Sequence, residues 1–499
     1  MPGTLLALDQ GTTSSRALVI DDRATVLGAA RHEFPQHFPH PGWVEHDPLE
    51  LWDSQLAAAR EALHRAGVAA SELAGIGIAN QRETALIWDR RTGEPIAPAI
   101  VWQSRQTAAI CEAWRAQGLG DLVRSRTGLV IDAYFSASKV RWLLDAVPGA
   151  VERAHRGELA FGTVDTWLIH RLTGGEAHVT DETNASRTML YDIEARRWSR
   201  ALLDAFDIPE ALLPTVQPSA SEFGVTRPEL LGAAVPIRGV AGDQQAALFG
   251  QGCVHAGDSK NTYGTGCFLL TSTGAAPSRS GSGLLTTAAA TSGAPAYALE
   301  GSVFVAGAAV QWLRDGLGLV ASAEETGALA SSVPDTGGVY LVPAFAGLGA
   351  PHWDEGARGA LVGLTRGSER AHVVRATLEA IAYQTRDLVA CIEADLGHAL
   401  EALRVDGGAS RNDFLMQFQA DILGVPVHRP RNLEVTALGA AGLAGVASGL
   451  WSDASQFVEA MSGDVEVIEP RMAVSEREER YAGWQAAVAR VVTRGDGGT

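Results

Sequence analysis

The chain has 499 residues, of which 46% are hydrophobic and 20% are charged, so it can bury sizeable cores and more than one domain is expected. Its formal net charge of −18 would repel a nucleic-acid backbone and an anionic membrane surface, which argues against nucleic acid as a partner. An anionic ligand must therefore be held by a local site, because the protein as a whole does not attract it.

The cysteines and the apolar segments are typical of a cytoplasmic protein. The four cysteines are scattered and form no CxxC pair, which favours reduced thiols over disulfides or a zinc site. The amino terminus runs almost directly into an apolar strand, which leaves no room for a signal peptide. The small-apolar stretch 436–451 is shorter than the ~20 residues of a spanning helix, so we expect a tightly packed helix and no stable membrane insertion.

The first predicted element is a hairpin over residues 5–22, LLALDQGTTSSRALVIDD. An apolar strand ends at Asp9, and a second apolar run follows Arg16. The small residues between them would let backbone N–H groups approach an anion, and their hydroxyls and the guanidinium would add donors for phosphate oxygens. Asp9 is well placed to hold a hydrated Mg²⁺. The GxxxxGK[ST] pattern is absent, and a polar turn with nothing bound is the alternative.

The segments that follow alternate between helix and strand signals, which indicates an α/β protein. Residues 46–67 predict a helix with Asp47 as its N-cap, Pro48 in its first turn and Gly67 at its end. A buried strand and two strand–turn–helix units are predicted further along the chain, at 73–80, 235–250 and 402–424.

Two further glycine turns share the plan of the first loop. KNTYGTGCFLLTS (260–272) predicts a second hairpin, and VDGGASRN (405–412) ends a strand and opens a helix that could receive a phosphate or a nucleoside. Each turn alone is weak evidence, but three in one chain favour a nucleotide site. Because the two hairpins each open one half of the chain, we predict a duplicated α/β unit with domains 1–250 and 251–499 and a cleft between them.

These loops resemble those of the actin/hexokinase-like ATPase superfamily, and the whole chain resembles one part of it, the FGGY family of carbohydrate kinases, most closely its glycerol-phosphorylating members. The segments that carry the resemblance include LALDQGTTSSR (6–16), NQRET (80–84), IVWQSRQTA (100–108), TDETNASRTML (180–190), GDQQAALFGQ (242–251), KNTYGTGCF (260–268) and LRVDGGASRNDFLMQFQADILG (403–424).

The resemblance implies two ribonuclease-H-like domains that close on a catalytic cleft, with ATP and Mg²⁺ bound largely by the C-terminal half. It also implies transfer of the γ-phosphoryl group to glycerol, giving sn-glycerol 3-phosphate in the first step of glycerol catabolism, by a homodimer or homotetramer. Position by position, it assigns the catalytic base to Asp243 and the metal to Asp9. The substrate contacts that it implies are Arg82, Glu83, Trp102, Tyr134, Asp243, Gln244 and Phe268. The phosphate and nucleoside contacts that it implies are Thr12, Thr13, Ser14, Arg16, Thr265, Gly307, Gln311, Gly408 and Asn412.

The residue chemistry is consistent with these roles. A polyol hydroxyl is a poor nucleophile and needs a positioned carboxylate to take its proton, and Asp243 stands between a predicted strand and a predicted helix. A plain helix N-cap is the alternative for this residue. Arg82 and Glu83 offer a donor and an acceptor side by side, so each can hold a hydroxyl; an ion pair on the surface is the alternative.

Two other functions remain open at this point: a kinase of another small polyol or ketose, and a non-catalytic nucleotide-binding protein of the actin fold. Regulation by fructose 1,6-bisphosphate, which some family members bind through a Gly-Arg loop, is not expected. The corresponding segment, ELLGAAVPIRG (229–239), has Ala233 and Ala234 where an arginine would be needed.

Overall fold

The computed structural model describes residues 3–354, 356–461 and 465–493. Within them, the amino-terminal half builds a six-stranded sheet. Across this sheet the strands lie in the order Ala220–Val225, Pro236–Gly242, Leu73–Asn80, Thr4–Gln10, Ser14–Ile20 and Val26–Glu33. The last three strands pair antiparallel, whereas Thr4–Gln10, Leu73–Asn80 and Pro236–Gly242 run parallel.

The carboxy-terminal half builds a seven-stranded sheet in the described residues. Its order is Leu285–Ala289, Ala296–Val303, Cys267–Gly274, Ser259–Tyr263, Leu403–Asp406, Val427–Pro430 and Val465–Ile468. Four neighbouring antiparallel strands adjoin the parallel ones here, against three at the corresponding place in the first sheet, so the two sheets share one plan, as the two hairpins suggested. The predicted α/β fold with two such domains is likewise what the chain adopts.

Helices and short strand pairs cover and connect the two sheets. The helices of the first half are Pro48–Ala66, Ala108–Ala116, Gly120–Thr127, Ser136–Ala146, Ala150–His155, Val164–Leu172, Glu182–Ala185, Arg200–Phe206, Pro228–Leu231 and Asp243–Gly250. Those of the second half are Gly307–Gln311, Glu325–Ser331, Arg370–Leu396, Asp413–Leu423, Val435–Ala447, Ala454–Met461 and Val474–Val488. The short strands are Glu45–His46, Leu86–Asp89, Ala99–Ile100, Leu159–Gly162, Val179–Asp181, Tyr191–Asp192, Arg197–Trp198, Thr215–Gln217, Tyr340–Val342 and Ala360–Val362.

The first long helix begins and ends at the capping residues that the sequence predicts. The Asp47 carboxylate accepts from the Leu49 N–H at 2.8 Å, and Gly67 ends the helix at a φ of 65°, a conformation that glycine adopts without strain. The predicted strand at 73–80, the strand and helix predicted within each of 235–250 and 402–424, and both hairpins are confirmed as well.

One helix crosses from the second half to the first sheet. Val435–Ala447 packs against Leu73–Asn80, Pro236–Gly242 and helix Asp243–Gly250. A Cβ on Gly77 would lie 2.1 Å from the Ala440 carbonyl oxygen, so only glycine permits this approach. The tightly packed helix predicted from 436–451 is confirmed, and within the described residues no helix is long and apolar enough to cross a membrane. The division at residue 250 stays a prediction, since this helix belongs to the later half by sequence and covers the earlier sheet.

Candidate active site

The carboxyl ends of the central parallel strands bring distant polar residues together. Asp9 lies opposite Ala79, and Gly242 opposite Asn80, so Asp9 and the residue after Gly242 emerge at one edge of the first sheet. That residue is Asp243, the first of helix Asp243–Gly250. Ligand sites in open α/β sheets form at this kind of edge.

Asp243 is held by its neighbours while part of its side chain faces solvent. Its Oδ1 lies 3.3 Å from Nε of Arg82 and accepts from the Gln244 N–H at 2.7 Å, and 28% of the side chain is exposed. Burial raises the pKa of Asp243, and the positive charges of Arg82 and Lys260 oppose that rise. A carboxylate with a raised pKa is a stronger base. The N-cap position belongs to Gly242, so the plain N-cap alternative is wrong.

Arg82 and Glu83 are 3% and 1% exposed, so the alternative of a surface ion pair is wrong. Nη2 of Arg82 donates to the Tyr134 hydroxyl at 3.3 Å, which places three of the predicted substrate residues in one cluster. Glu83 has a φ of 61°, a left-handed conformation that is uncommon outside glycine and clusters at functional sites.

Aromatic rings line the same place. The Trp102 ring centroid lies 5.7 Å from that of Tyr134 and 6.0 Å from that of Phe268, and the Arg82 guanidinium carbon lies 5.9 Å from the Phe268 ring centroid. The indole N–H of Trp102 donates to the Thr12 hydroxyl at 3.0 Å. The aromatic walls are therefore joined directly to the first glycine turn.

Two residues that the sequence did not single out complete this cluster. Glu300 is fully buried and accepts from both terminal nitrogens of Arg82, at 2.6 and 2.9 Å. Arg187 donates to Glu300 at 2.9 Å and to Glu83 at 2.6 Å. With Nε of Arg82 3.8 Å from Oε1 of Glu83, the four side chains close a loop that we call the buried Arg–Glu ring.

The two lysines were another missed signal. They are the only lysines among 40 basic residues, and both are fully buried at this site. Lys139 donates to three backbone carbonyls, among them that of Tyr134 at 2.6 Å. Lys260 donates to the amide oxygen of Gln244 at 2.6 Å and to the Thr262 hydroxyl at 2.7 Å. Both lysines therefore stand at buried positions where a compact ammonium group fits better than the larger, planar guanidinium of arginine.

The first glycine turn is a tight hairpin end. The Gly11 N–H donates to the Ser14 carbonyl at 3.0 Å; Ser14 is buried, Thr12 half-buried and Thr13 exposed. Nη1 of Arg16 lies 3.2 Å from Glu434 and 3.9 Å from Asp9. Burial raises the pKa of Asp9 to about 7, opposed by Arg16 and reinforced by Glu434 and Asp243.

The other two glycine turns border a cavity of about 640 Å³. Its lining includes the predicted contacts Thr265, Gly307, Gln311, Gly408 and Asn412. A Cβ on Gly408 would meet nothing within 4 Å. Asn412 is the N-cap of helix Asp413–Leu423, where its amide oxygen accepts from the Leu415 N–H, and one of its two amide hydrogens is donated to the Thr326 hydroxyl at 3.0 Å. This cavity is large enough for a nucleoside.

Comparison with known families adds to this geometry. The model of the N-terminal domain of the FGGY family of carbohydrate kinases matches residues 4–250, and the model of its C-terminal domain matches residues 259–448.

Curated relatives extend over nearly the whole chain. The glycerol kinase of Aromatoleum aromaticum is 60% identical over 487 residues, covering 97% of this chain and 98% of the relative. The glycerol kinase of Halorhodospira halophila is 58% identical over 488 residues, covering 97% and 96%.

Solved structures of similar fold include two kinases. A Plasmodium falciparum glycerol kinase with ADP is 35% identical, with a TM-score of 0.90 and 99% of each chain covered. The xylulose kinase from Rhodospirillum rubrum is 26% identical, with a TM-score of 0.84 and 98% of each chain covered.

Proposed function

Because the chain belongs to the FGGY family of carbohydrate kinases, we propose that it transfers the γ-phosphoryl group of ATP to glycerol, giving sn-glycerol 3-phosphate and ADP. The observation that carries this proposal is the buried cluster in which Arg82 contacts both Tyr134 and Asp243 beside aromatic rings. A site that combines buried charged groups with aromatic rings favours a small polyol, and glycerol is the substrate named for the relatives at 58% and 60% identity.

We assign the proton transfer to Asp243. As the attacking hydroxyl oxygen forms its bond to the γ-phosphorus, Oδ of Asp243 takes the hydroxyl proton and ADP leaves. Arg82 lies 3.3 Å from this carboxylate, so it holds the base in place and favours its ionised form before the reaction. A positioned base of this kind contributes roughly 10²- to 10⁴-fold to the rate.

Arg82 and Glu83 would bind the hydroxyls that do not react. Trp102 and Phe268 would pack along the carbon chain and keep water from the reacting oxygen. Gln244, the neighbour of Asp243 in the chain, and Tyr134 are proposed as further contacts of glycerol, and the Lys260 ammonium donates to the amide oxygen of Gln244 at 2.6 Å. A ligand without one of these hydroxyls would lose a hydrogen bond to a charged group, at a cost of about 1.5–3 kcal/mol.

The glycine turns would hold ATP. Thr12, Thr13, Ser14, Arg16 and Thr265 are proposed to contact the phosphates, and Gly307, Gln311, Gly408 and Asn412 the nucleoside. The turn that begins at Gly11 contains Thr12, Thr13 and Ser14. The four residues proposed to contact the nucleoside line the 640 Å³ cavity. Backbone N–H groups of such turns bind phosphate oxygens and make positioning the main source of the rate.

The carboxylates present also fit Mg²⁺. No group of three or more histidine, cysteine or acidic residues suited to a metal occurs among the described residues, but Mg²⁺ needs only one or two carboxylates beside phosphates and water. Burial raises the pKa of both Asp9 and Asp243, and a divalent cation would favour their ionised forms. Asp9 would hold the ion, which would neutralise charge on the phosphates.

A substrate panel tests the proposal. ATP consumption is measured with Mg²⁺ and glycerol, dihydroxyacetone, erythritol or xylulose, and the phosphorylated product is identified by ³¹P NMR. Glycerol should give the highest kcat/KM. Faster turnover of xylulose would keep the kinase and overturn the substrate, and ATP binding without turnover of any alcohol would favour a non-catalytic protein. The expected homodimer or homotetramer stays a prediction, which sedimentation velocity would test.

A further inference from the structure

Glu300 is the one member of the buried Arg–Glu ring that comes from the carboxy-terminal half. It lies on strand Ala296–Val303 of the second sheet, whereas Arg82, Glu83 and Arg187 precede residue 250. Its two oxygens accept from both guanidinium groups, and the Ser302 hydroxyl adds a contact at 3.2 Å. The nearby positive charges lower the pKa of Glu300 to about 2 against the effect of burial, so the carboxylate is ionised.

Bidentate pairing fixes both the position and the plane of the Arg82 guanidinium. Arg82 is also the residue that touches Asp243 and Tyr134, so its orientation depends on a carboxylate supplied by the other half. Arg187, which also pairs with Glu300, fixes the position of the Glu83 carboxylate through its hydrogen bond at 2.6 Å. Two arginines and two glutamates leave the ring neutral, which makes its complete burial tolerable and the loss of one member costly.

The strand that carries Glu300 continues directly to the nucleotide cavity. Four residues after this strand ends, helix Gly307–Gln311 begins, and both of its terminal residues line the cavity. The neighbouring strand places Phe268 opposite Ser302, and the Ala306 N–H donates to the Thr265 carbonyl at 2.9 Å. One pair of hydrogen-bonded strands thus carries contacts to both proposed substrates.

We propose that Glu300 is a positioning residue that holds Arg82 and Glu83 in the geometry that binds glycerol, and that its strand couples glycerol binding to nucleotide binding. This inference rests on the proposed function, because it takes Arg82 and Glu83 as the glycerol contacts. A nucleotide bound against helix Gly307–Gln311 orders the strand that carries Glu300, and so raises the affinity for glycerol. By thermodynamic reciprocity, glycerol raises the affinity for the nucleotide by the same factor.

Titration calorimetry on the full chain tests this coupling. Glycerol and Mg²⁺–ADP are titrated alone and then together, in wild type and in Glu300→Gln. We expect the variant to bind glycerol at least about tenfold more weakly, to bind ADP within about threefold of wild type, and to lose the mutual enhancement. Glu222→Gln is the matched control, since it breaks an exposed pair with Arg238 at 2.7 Å and should change none of these values.

Several results would overturn the inference. One is a Glu300→Gln variant that retains the wild-type affinity for glycerol or the wild-type coupling factor. Another is an equal loss of affinity for both ligands, which indicates a merely structural role. If this variant does not fold, Ser302→Ala decides: it should weaken glycerol binding a few-fold without affecting ADP, and an unchanged affinity overturns the proposal. Wild type that binds ADP but not glycerol would instead overturn the proposed function itself.

Discussion

Replacing Lys139 by methionine should destabilise the protein and loosen the polyol site together. The buried Lys139 ammonium donates to the carbonyl oxygens of Ala133, Tyr134 and Phe135 at 2.7, 2.6 and 3.1 Å. Methionine fills much of the same volume but has no donor, so three carbonyls lose their partner at about 1–3 kcal/mol each. Part of this cost is offset because no ammonium ion is buried any longer. We expect the free energy of unfolding to fall by about 2–4 kcal/mol.

Urea denaturation and steady-state kinetics measure the two effects. Because the three carbonyls lie at the Tyr134 segment, the KM for glycerol should rise about tenfold while the KM for ATP changes little. Lys139→Arg keeps the charge and should also destabilise, since a planar guanidinium cannot aim three donors at one tight turn. Arg200→Lys, at a side chain 75% exposed, is the neutral control. A Lys139→Met variant within about 0.5 kcal/mol of wild type, with unchanged KM, would refute this reasoning.

Three further predictions concern the metal, pH and regulation. Asp9→Asn should raise the Mg²⁺ concentration for half-maximal activity about tenfold, measured by Mg²⁺ titration at saturating substrates; an unchanged value would contradict the assignment. Burial raises the pKa of Asp387 to about 6, so the folded state keeps a proton that the unfolded state loses from about pH 4. Wild type should therefore lose about 2–3 kcal/mol of stability relative to Asp387→Asn between pH 4 and 7, and parallel urea-denaturation curves would refute this. Fructose 1,6-bisphosphate should change the rate by less than about twofold, because Ala233 and Ala234 offer no guanidinium for its phosphates; clear inhibition would overturn this expectation.

Local chemistry was readable from the sequence where it acts over a few residues. Asp47 and Gly67 mark the two ends of a helix through hydrogen bonds to residues close to them in sequence. Apolar runs that alternate with glycines predict both hairpins. The position of Asp243 after a strand also follows from local pattern. These features need no knowledge of the rest of the chain.

Features that depend on distant contacts were not readable in this way. Glu300 and Arg82 are 218 residues apart, and nothing near Glu300 indicates that its carboxylate meets two arginines. Arg187 lies inside a segment that carries the family resemblance, but its local sequence assigns it no partner. The packing of Val435–Ala447 on the first sheet is likewise hidden, because its small residues fit any close-packed surface. The sequence did offer one signal for these buried positions, namely that the chain has only two lysines, and both are buried.

The central claim is that Asp243 takes the proton from glycerol during phosphoryl transfer. The most direct test is the single-turnover rate of Asp243→Asn with glycerol and Mg²⁺–ATP, beside its binding of glycerol and of Mg²⁺–ADP. The claim predicts a rate about 10²- to 10⁴-fold below wild type while both dissociation constants stay within about threefold. A variant that phosphorylates glycerol within about threefold of the wild-type rate would contradict the assignment of Asp243 as the base.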